Sequence, residues 1–237
     1  MIIDASIRKK LNFFELAIDF SCPDNEMLVF IGPSGGGKTT LIRMLAGLER
    51  PDEGRITFGE EVWFDSKTNK IIPPRKRGIG YVFQDYALFP HLTIYENAAF
   101  AAAEEKEVDR LLELFQIAHL RDRKPHLVSG GERQRCAICQ ALARNPRLLL
   151  LDEPFSALDA VTRRELREEL KDLKKELSFP VIYVTHDINE ALYLADDIIP
   201  VVEGREDREW MQRAISRGPS KRKPTRAARK QKLALAY

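Results

Sequence analysis

A chain of 237 residues with 44% hydrophobic content can bury a large core, as one domain or as a domain with a sub-lobe. Its longest purely apolar runs, such as Leu148 to Leu151, fall far short of the ~20 residues a membrane-spanning helix needs. No signal-peptide pattern opens the chain, so a cytoplasmic protein is expected. Cys22, Cys136 and Cys139 are too few for a disulfide framework and one short of a four-cysteine zinc site.

In chain order, Phe14, Leu16, Ile18 and Phe20 alternate with polar or small residues, which predicts a half-buried strand. Phe13 lies on its polar side, where an aromatic can stack on adenine or stand as an ordinary surface side chain. The apolar run Met27 to Ile31 predicts a strand, and Gly32-Pro33-Ser34-Gly35-Gly36-Gly37-Lys38-Thr39 follows it as a G-x-x-x-x-G-K-[ST] loop. Such a loop turns backbone N–H groups inward around phosphate, with Thr40 beside it and the helix N-terminus adding positive potential. Lys38 is placed to reach the β and γ phosphates of a bound nucleotide, and the Thr39 hydroxyl to reach Mg²⁺. Leu41, Ile42, Leu45, Ala46 and Leu48 then stripe a helix that Pro51 ends.

Residues 54–64 read as short strands with a turn at Gly59-Glu60, an antiparallel edge. A loop from Pro73 to Gly78 leads into a strand, Ile79 to Phe83, which delivers Gln84 at its end. From Asp85 to His126 the pattern becomes helical: Thr93 to Ala103, then Glu104 to Leu120 with Val108, Leu111, Leu112 and Phe115 on one face. A helical lobe over about residues 85–140 is expected to interrupt the α/β core. Val128-Ser129-Gly130-Gly131-Glu132-Arg133-Gln134-Arg135 opens another helix and forms a second anion-binding N-terminus. Cys136 and Cys139 share a face of that helix, which favours packing over redox or metal chemistry.

Arg147 to Asp152 reads as a buried strand whose run Leu148 to Leu151 is continuously apolar, as in central parallel strands, and it leads into Asp152-Glu153. Successive strand residues point to opposite sides, so Asp152 can orient a Mg²⁺ shell while Glu153 polarises a water at the γ phosphate. Leu166, Leu170, Leu173 and Leu177 stripe the next helix. Pro180 to Thr185 is a further buried strand, Ile188 to Ala195 a short helix and Ile198 to Val202 a last strand. Strands alternating with helices predict an α/β fold with a P-loop NTPase core, a mainly parallel sheet, an antiparallel β subdomain and the inserted helical lobe. A C-terminal extension, 206–237, ends in a tail with eight basic residues and no acid from Arg217 onward, which leaves about −6 on the rest of a chain whose net charge is +2. This tail is expected to be disordered, either simply solvated or attracted to anionic lipid or nucleic acid.

GPSGGGKTT, the glutamine of YVFQD, VSGGERQR, LLLLDEPFSALD and YVTHD stand in the order and spacing of the ATP-binding-cassette (ABC) ATPases, which the chain resembles over about residues 1–205. The resemblance implies a homodimer that sandwiches two ATPs, each between the P-loop of one copy and Ser129-Gly130-Gly131, with Glu132, of the other. It further implies that Gln84 senses Mg²⁺ and the attacking water, that Ser156 to Asp159 crosses the dimer interface, and that His186 contacts the γ phosphate. Val128 and Glu132 stand where the family more often has leucine and glutamine, and Phe13 is offset from the usual adenine-stacking aromatic. Gln84 to Thr93 looks like the surface that, in importer ATPases, receives a helix of the membrane permease. With Pro73 to Phe83 it is most similar to the group serving molybdate and other oxyanions, polyamines and sugars, which work with a solute-binding protein. That group's regulatory C-terminal β-domain is not expected here. A soluble cassette acting on nucleic acid or ribosomes is the competing expectation, disfavoured by the short Gln84–Ser129 spacing, and a non-catalytic nucleotide-gated module is a third.

Overall fold

The computed structural model describes residues 1–85 and 87–216, so the basic tail from Arg217 lies outside the described residues. The chain runs β1 (Ile2–Lys10), β2 (Glu15–Pro23), β3 (Met27–Ile31), α1 (Lys38–Ala46), β4 (Glu53–Phe58), β5 (Glu61–Asp65), β6 (Lys70–Ile71) and β7 (Ile79–Val82). It continues through α2 (Ile94–Ala99), α3 (Glu105–Leu114), α4 (Gly130–Leu142), β8 (Leu148–Asp152), α5 (Ala160–Glu176), β9 (Val181–Thr185), α6 (Ile188–Leu194), β10 (Asp197–Val202), β11 (Arg205–Glu206) and α7 (Arg208–Ser216).

Two sheets form. The first, in the order β2-β1-β4-β5-β6, is antiparallel throughout. The second, in the order β11-β10-β3-β9-β8-β7, is parallel from β10 to β7, with β11 antiparallel at its edge. The parallel strands read as unbroken apolar runs because both of their faces are covered. Met27, Val29, Ile31, Leu149, Leu151, Val181 and Tyr183 pack with α2 to α6, whereas Leu28, Phe30, Leu148, Leu150, Ile182 and Val184 pack against α1 and the antiparallel sheet. The inserted helices α2 to α4 lie between β7 and β8 in the chain and share the first of these cores.

Several element boundaries differ from the sequence reading. The span Glu104–Leu120 is an α-helix only to Leu114, because Gln116 takes φ 57°, and a short 3-10 turn resumes at Ala118–Leu120. The helix expected to reach Ala103 stops at Ala99. Leu177 completes the leucine stripe from just beyond the end of α5. The strand expected to be the last is followed by β11 and α7. At the front, β1 pairs with both β2 and β4, with Ile3, Ala5 and Ile7 buried.

Candidate functional site

The parallel order places β3, β7, β8 and β9 side by side with their C-terminal ends at one edge, where open α/β sheets bind ligands. The loop after β3 enters α1 through Gly37 at φ 95°, and a Cβ built there would lie 2.9 Å from Leu16. Gly32 is constrained differently, since a Cβ there would meet the Val201 carbonyl at 2.0 Å. Both positions exclude side chains from the cradle. A cavity of about 300 Å³ opens over the loop, lined by Leu11, residues 34–40, Gln84 and Glu153.

Lys38 is 4% exposed and donates to the Gly32 and Pro33 carbonyls, each at 2.9 Å, which leaves its third proton free. Burial pushes its pKa down, against the pull of Glu153 and Asp152. Asp152 is 3% exposed, accepting from Thr39 Oγ1 at 3.2 Å and from the Tyr81 hydroxyl at 3.3 Å. Burial raises its pKa despite those two bonds and the Lys38 charge. Thr39 and Asp152 thus offer hard oxygen donors to the same spot, a set that suits Mg²⁺. The glycine cradle and Lys38 suit a polyphosphate.

Glu153 turns the chain out of β8 with φ 46°, and its amide donates to the Val184 carbonyl of β9. Its Oε2 lies 2.9 Å from His186 Nδ1, so the two acids diverge, Asp152 toward Thr39 and Glu153 toward His186. Gln84 lines the cavity together with Glu153. Phe13 is 95% exposed and does not line it, whereas Leu11 does.

Ser129, Gly130, Gly131 and Glu132 do not reach this cavity. They begin α4 in a closed capping box: Ser129 Oγ accepts from the Glu132 amide at 3.3 Å, and Glu132 Oε2 accepts from the Ser129 amide at 2.6 Å. Burial opposes the charged form of Glu132, but the bonds from Ser129 outweigh it and lower the pKa. The Ser129 hydroxyl proton is not used by the cap, and Ser129 is an exposed helix entry.

A second cavity, about 560 Å³ and mostly apolar, takes Ala87 and Phe89 of the Gln84–Thr93 stretch into its lining. Leu48, Ile79, Phe83, Phe89 and Phe100 are among its walls, and three of these are exposed apolar side chains, namely Leu48, Phe83 and Phe100.

Residues 16–156 match the family model described as ABC transporter. The chain belongs to the ABC transporter ATPases. It is 45% identical over 213 residues to a sulfate/thiosulfate import ATP-binding protein, CysA 2, of Agrobacterium fabrum, which covers 86% of this chain and 61% of that protein. It is 43% identical over 211 residues to a molybdate/tungstate import ATP-binding protein, WtpC, of Archaeoglobus fulgidus, covering 86% of this chain and 85% of that protein. The chain therefore spans about three fifths of the first of these relatives and most of the second. Among solved structures it resembles the ATP-binding cassette MJ0796 in a dimeric post-hydrolysis state bound to ADP and Pi. The TM-score is 0.73 at 30% identity, with 88% of this chain and 97% of that one covered.

Tyr81 and Leu11 are site neighbours that sequence reasoning passed over. Tyr81 pairs in register with Leu150, so it faces the same side as Asp152 two residues on. That signal becomes readable only once β7 is known to lie beside β8. Among the described residues no helix is long and apolar enough to cross a membrane.

Proposed function

We propose that this ABC ATPase is the ATP-hydrolysing subunit of an oxyanion importer, working as a homodimer against a membrane permease supplied by a solute-binding protein. One observation carries the reading: the phosphate cradle and the capped Ser129–Gly131 helix entry are two anion-binding ends on one chain that do not meet within it. A two-fold dimer brings each to the other, because an isologous interface repeats one contact at both sites. The dimeric MJ0796 cassette is consistent with that arrangement.

In this reading Lys38 and the backbone amides of residues 34–39 bind the phosphates, and the exposed ring of Phe13 offers a stacking face for adenine. Thr39, Asp152 and Gln84 would hold Mg²⁺, which would supply neutralisation of developing phosphate charge. Glu153 accepts the proton of the attacking water. His186, with Nδ1 held 2.9 Å from Glu153 Oε2, orients that carboxylate and brings its imidazole to the γ phosphate. Ser129 and the glycine amides of the partner copy close the site, with Glu132 fixing the helix end that presents them. The apolar cavity lined by Phe83 and Phe89 supports a seat for a permease helix, and with it a position for the subunit at the cytoplasmic face of a membrane. Ile79, Tyr81 and Val82 of β7 line this cavity, and Gln84 follows the end of that strand by two residues, which links permease contact to the nucleotide cavity.

The import proteins to which the chain is similar serve sulfate and thiosulfate in one case and molybdate and tungstate in the other, at nearly equal identity. All four anions are therefore candidate solutes. The test is to purify the chain with its membrane partner, reconstitute both with the solute receptor in vesicles, and measure ATP hydrolysis with each anion. Stimulation by one of them supports the reading, and recovery of an active chain that binds no membrane subunit refutes it.

A further inference from the structure

Two turns flank the Glu153–His186 pair and are joined by a single guanidinium. In the first, Ser156 Oγ donates to the Glu153 carbonyl at 3.0 Å, and Asp159 caps α5 by accepting from the amides of Val161 and Thr162. Arg163, in the first turn of α5, reaches back and donates from Nη2 to the Leu158 carbonyl at 2.9 Å. The same group faces the second turn. Its Nη1 lies 3.6 Å from Asp187 Oδ2, and its Nε lies 3.9 Å from Glu190 Oε1.

Those two acids hold the residues on either side of His186. Asp187 caps α6, and its own amide donates to Thr185 Oγ1 at 3.0 Å. Glu190 is 3% exposed, and its Oε2 accepts from Thr185 Oγ1 at 2.7 Å and from the Tyr183 hydroxyl at 2.9 Å. Glu190 Oε1 is thereby left to face the cation. The separations from Arg163 to both acids exceed hydrogen-bond range, and Arg163 Nε is buried with no hydrogen-bond partner. A buried donor that a small shift would satisfy favours that shift.

We infer that Arg163 is a positioning residue that joins the 156–159 turn to the His186 turn, so that a second cassette pressing on the first turn moves the His186 imidazole relative to Glu153. This link rests on the ATPase-dimer reading above and adds the route by which dimer closure reaches the histidine. Glu190 anchors the far end of the link. Neither Arg163 nor Glu190 touches the P-loop cavity, so nucleotide binding does not depend on them.

The test uses the full chain with Arg163→Met, Arg163→Lys, Glu190→Gln and the Arg163→Met/Glu190→Gln double variant, each assayed for kcat, KM, equilibrium ATP affinity and Tm. Arg163→Met is expected to lower kcat by about ten- to a hundredfold while ATP affinity stays within about twofold of the parent, since misplacing a catalytic group by a fraction of an ångström costs rate rather than binding. Arg163→Lys restores part of the rate because an ammonium can still pair with Asp187 and Glu190. Glutamine at position 190 keeps an acceptor for Thr185 and Tyr183 but removes the charge that Arg163 faces, so the double variant loses no more than the worse single one.

A parent-like kcat in Arg163→Met overturns the link, as do losses that multiply in the double variant. A fall in kcat matched by equal falls in Tm and ATP affinity also overturns it, leaving Arg163 a structural brace. A parent chain without Mg²⁺-dependent hydrolysis refutes the ATPase reading itself and the link with it, whereas a hydrolysing parent beside an unaffected Arg163→Met refutes the link alone.

Discussion

Asp152→Asn should make the nucleotide-free protein more stable while removing its Mg²⁺-dependent activity. The carboxylate is 3% exposed, and burial raises its pKa, so ionising it in the folded chain is costly. Its two hydroxyl partners, Thr39 at 3.2 Å and Tyr81 at 3.3 Å, are longer than the usual O–H···O range of about 2.5–3.0 Å and do not offset that cost. An asparagine keeps the shape without a buried charge, accepting one hydroxyl bond at its Oδ1 and donating from Nδ2 to the oxygen of the other hydroxyl. The expected gain is about 1 kcal/mol, the scale of single stabilising changes, which in a chain of this size raises Tm by roughly 2–4 °C.

The pH dependence follows from the direction of the shift. A carboxyl whose folded pKa lies above its unfolded value costs stability at pH above the folded value, and that cost disappears as pH falls toward the unfolded value. The gap in Tm between variant and parent should therefore be full at pH 7 and close as pH falls toward about 4. Thermal unfolding followed by circular dichroism, without nucleotide, measures it. A lower Tm for Asp152→Asn at pH 7, or a gap that widens on acidification, would show that the carboxylate stabilises the fold and that the reasoning is wrong. Addition of Mg²⁺ and ATP should raise the parent's Tm more than the variant's.

Arg77 is a buried cation that bonds only carbonyls, donating to Ile72 at 2.9 Å, Met44 at 3.0 Å and Leu45 at 2.6 Å, and burial pushes its pKa down to about 10. Arg77→Met should uncap the C-terminal end of α1 and cost roughly 2–4 kcal/mol in urea unfolding; an unchanged midpoint contradicts this. Lys38→Ala should weaken ATP binding by about 10²-fold or more in equilibrium dialysis, and affinity within a few-fold of the parent would remove Lys38 from the phosphate site. Cys22 and Cys136 are buried with pKa values raised to about 12, and burial also holds Cys139 well above the ordinary thiol value. At pH 7 a thiol reagent should label none of the three in the native protein and all three after denaturation, and rapid native labelling would contradict the packing.

What sequence reading captured and missed divides along physical lines. Local signals carried far: the β3-loop-α1 junction, the paired acids ending β8 and the capped start of α4 each depend on residues within one short stretch. Long-range placement did not follow from such signals. That Tyr81 reaches Asp152, or that Arg77 caps α1, depends on strand order and loop return, which no period in the sequence encodes. Helix ends were overextended because the apolar stripe of α3 continues to Phe115 and Leu120 across a break made by one positive φ at Gln116. The alternation of Ile3, Ala5 and Ile7 was present at the front of the chain, and α7 lies past the family-like stretch. The solute of the proposed importer was least legible, since neither the motifs nor the geometry of the nucleotide site carries its chemistry.

The most direct measurement of the central claim is single-turnover and steady-state hydrolysis by Glu153→Gln, with its oligomeric state followed by light scattering in Mg²⁺ and ATP. If Glu153 takes the water's proton and ATP is sandwiched between two copies, turnover should fall by about 10²-fold or more while an ATP-dependent dimer accumulates and ADP does not support it. Hydrolysis near the parent rate, or a protein that stays monomeric with ATP bound, would contradict it.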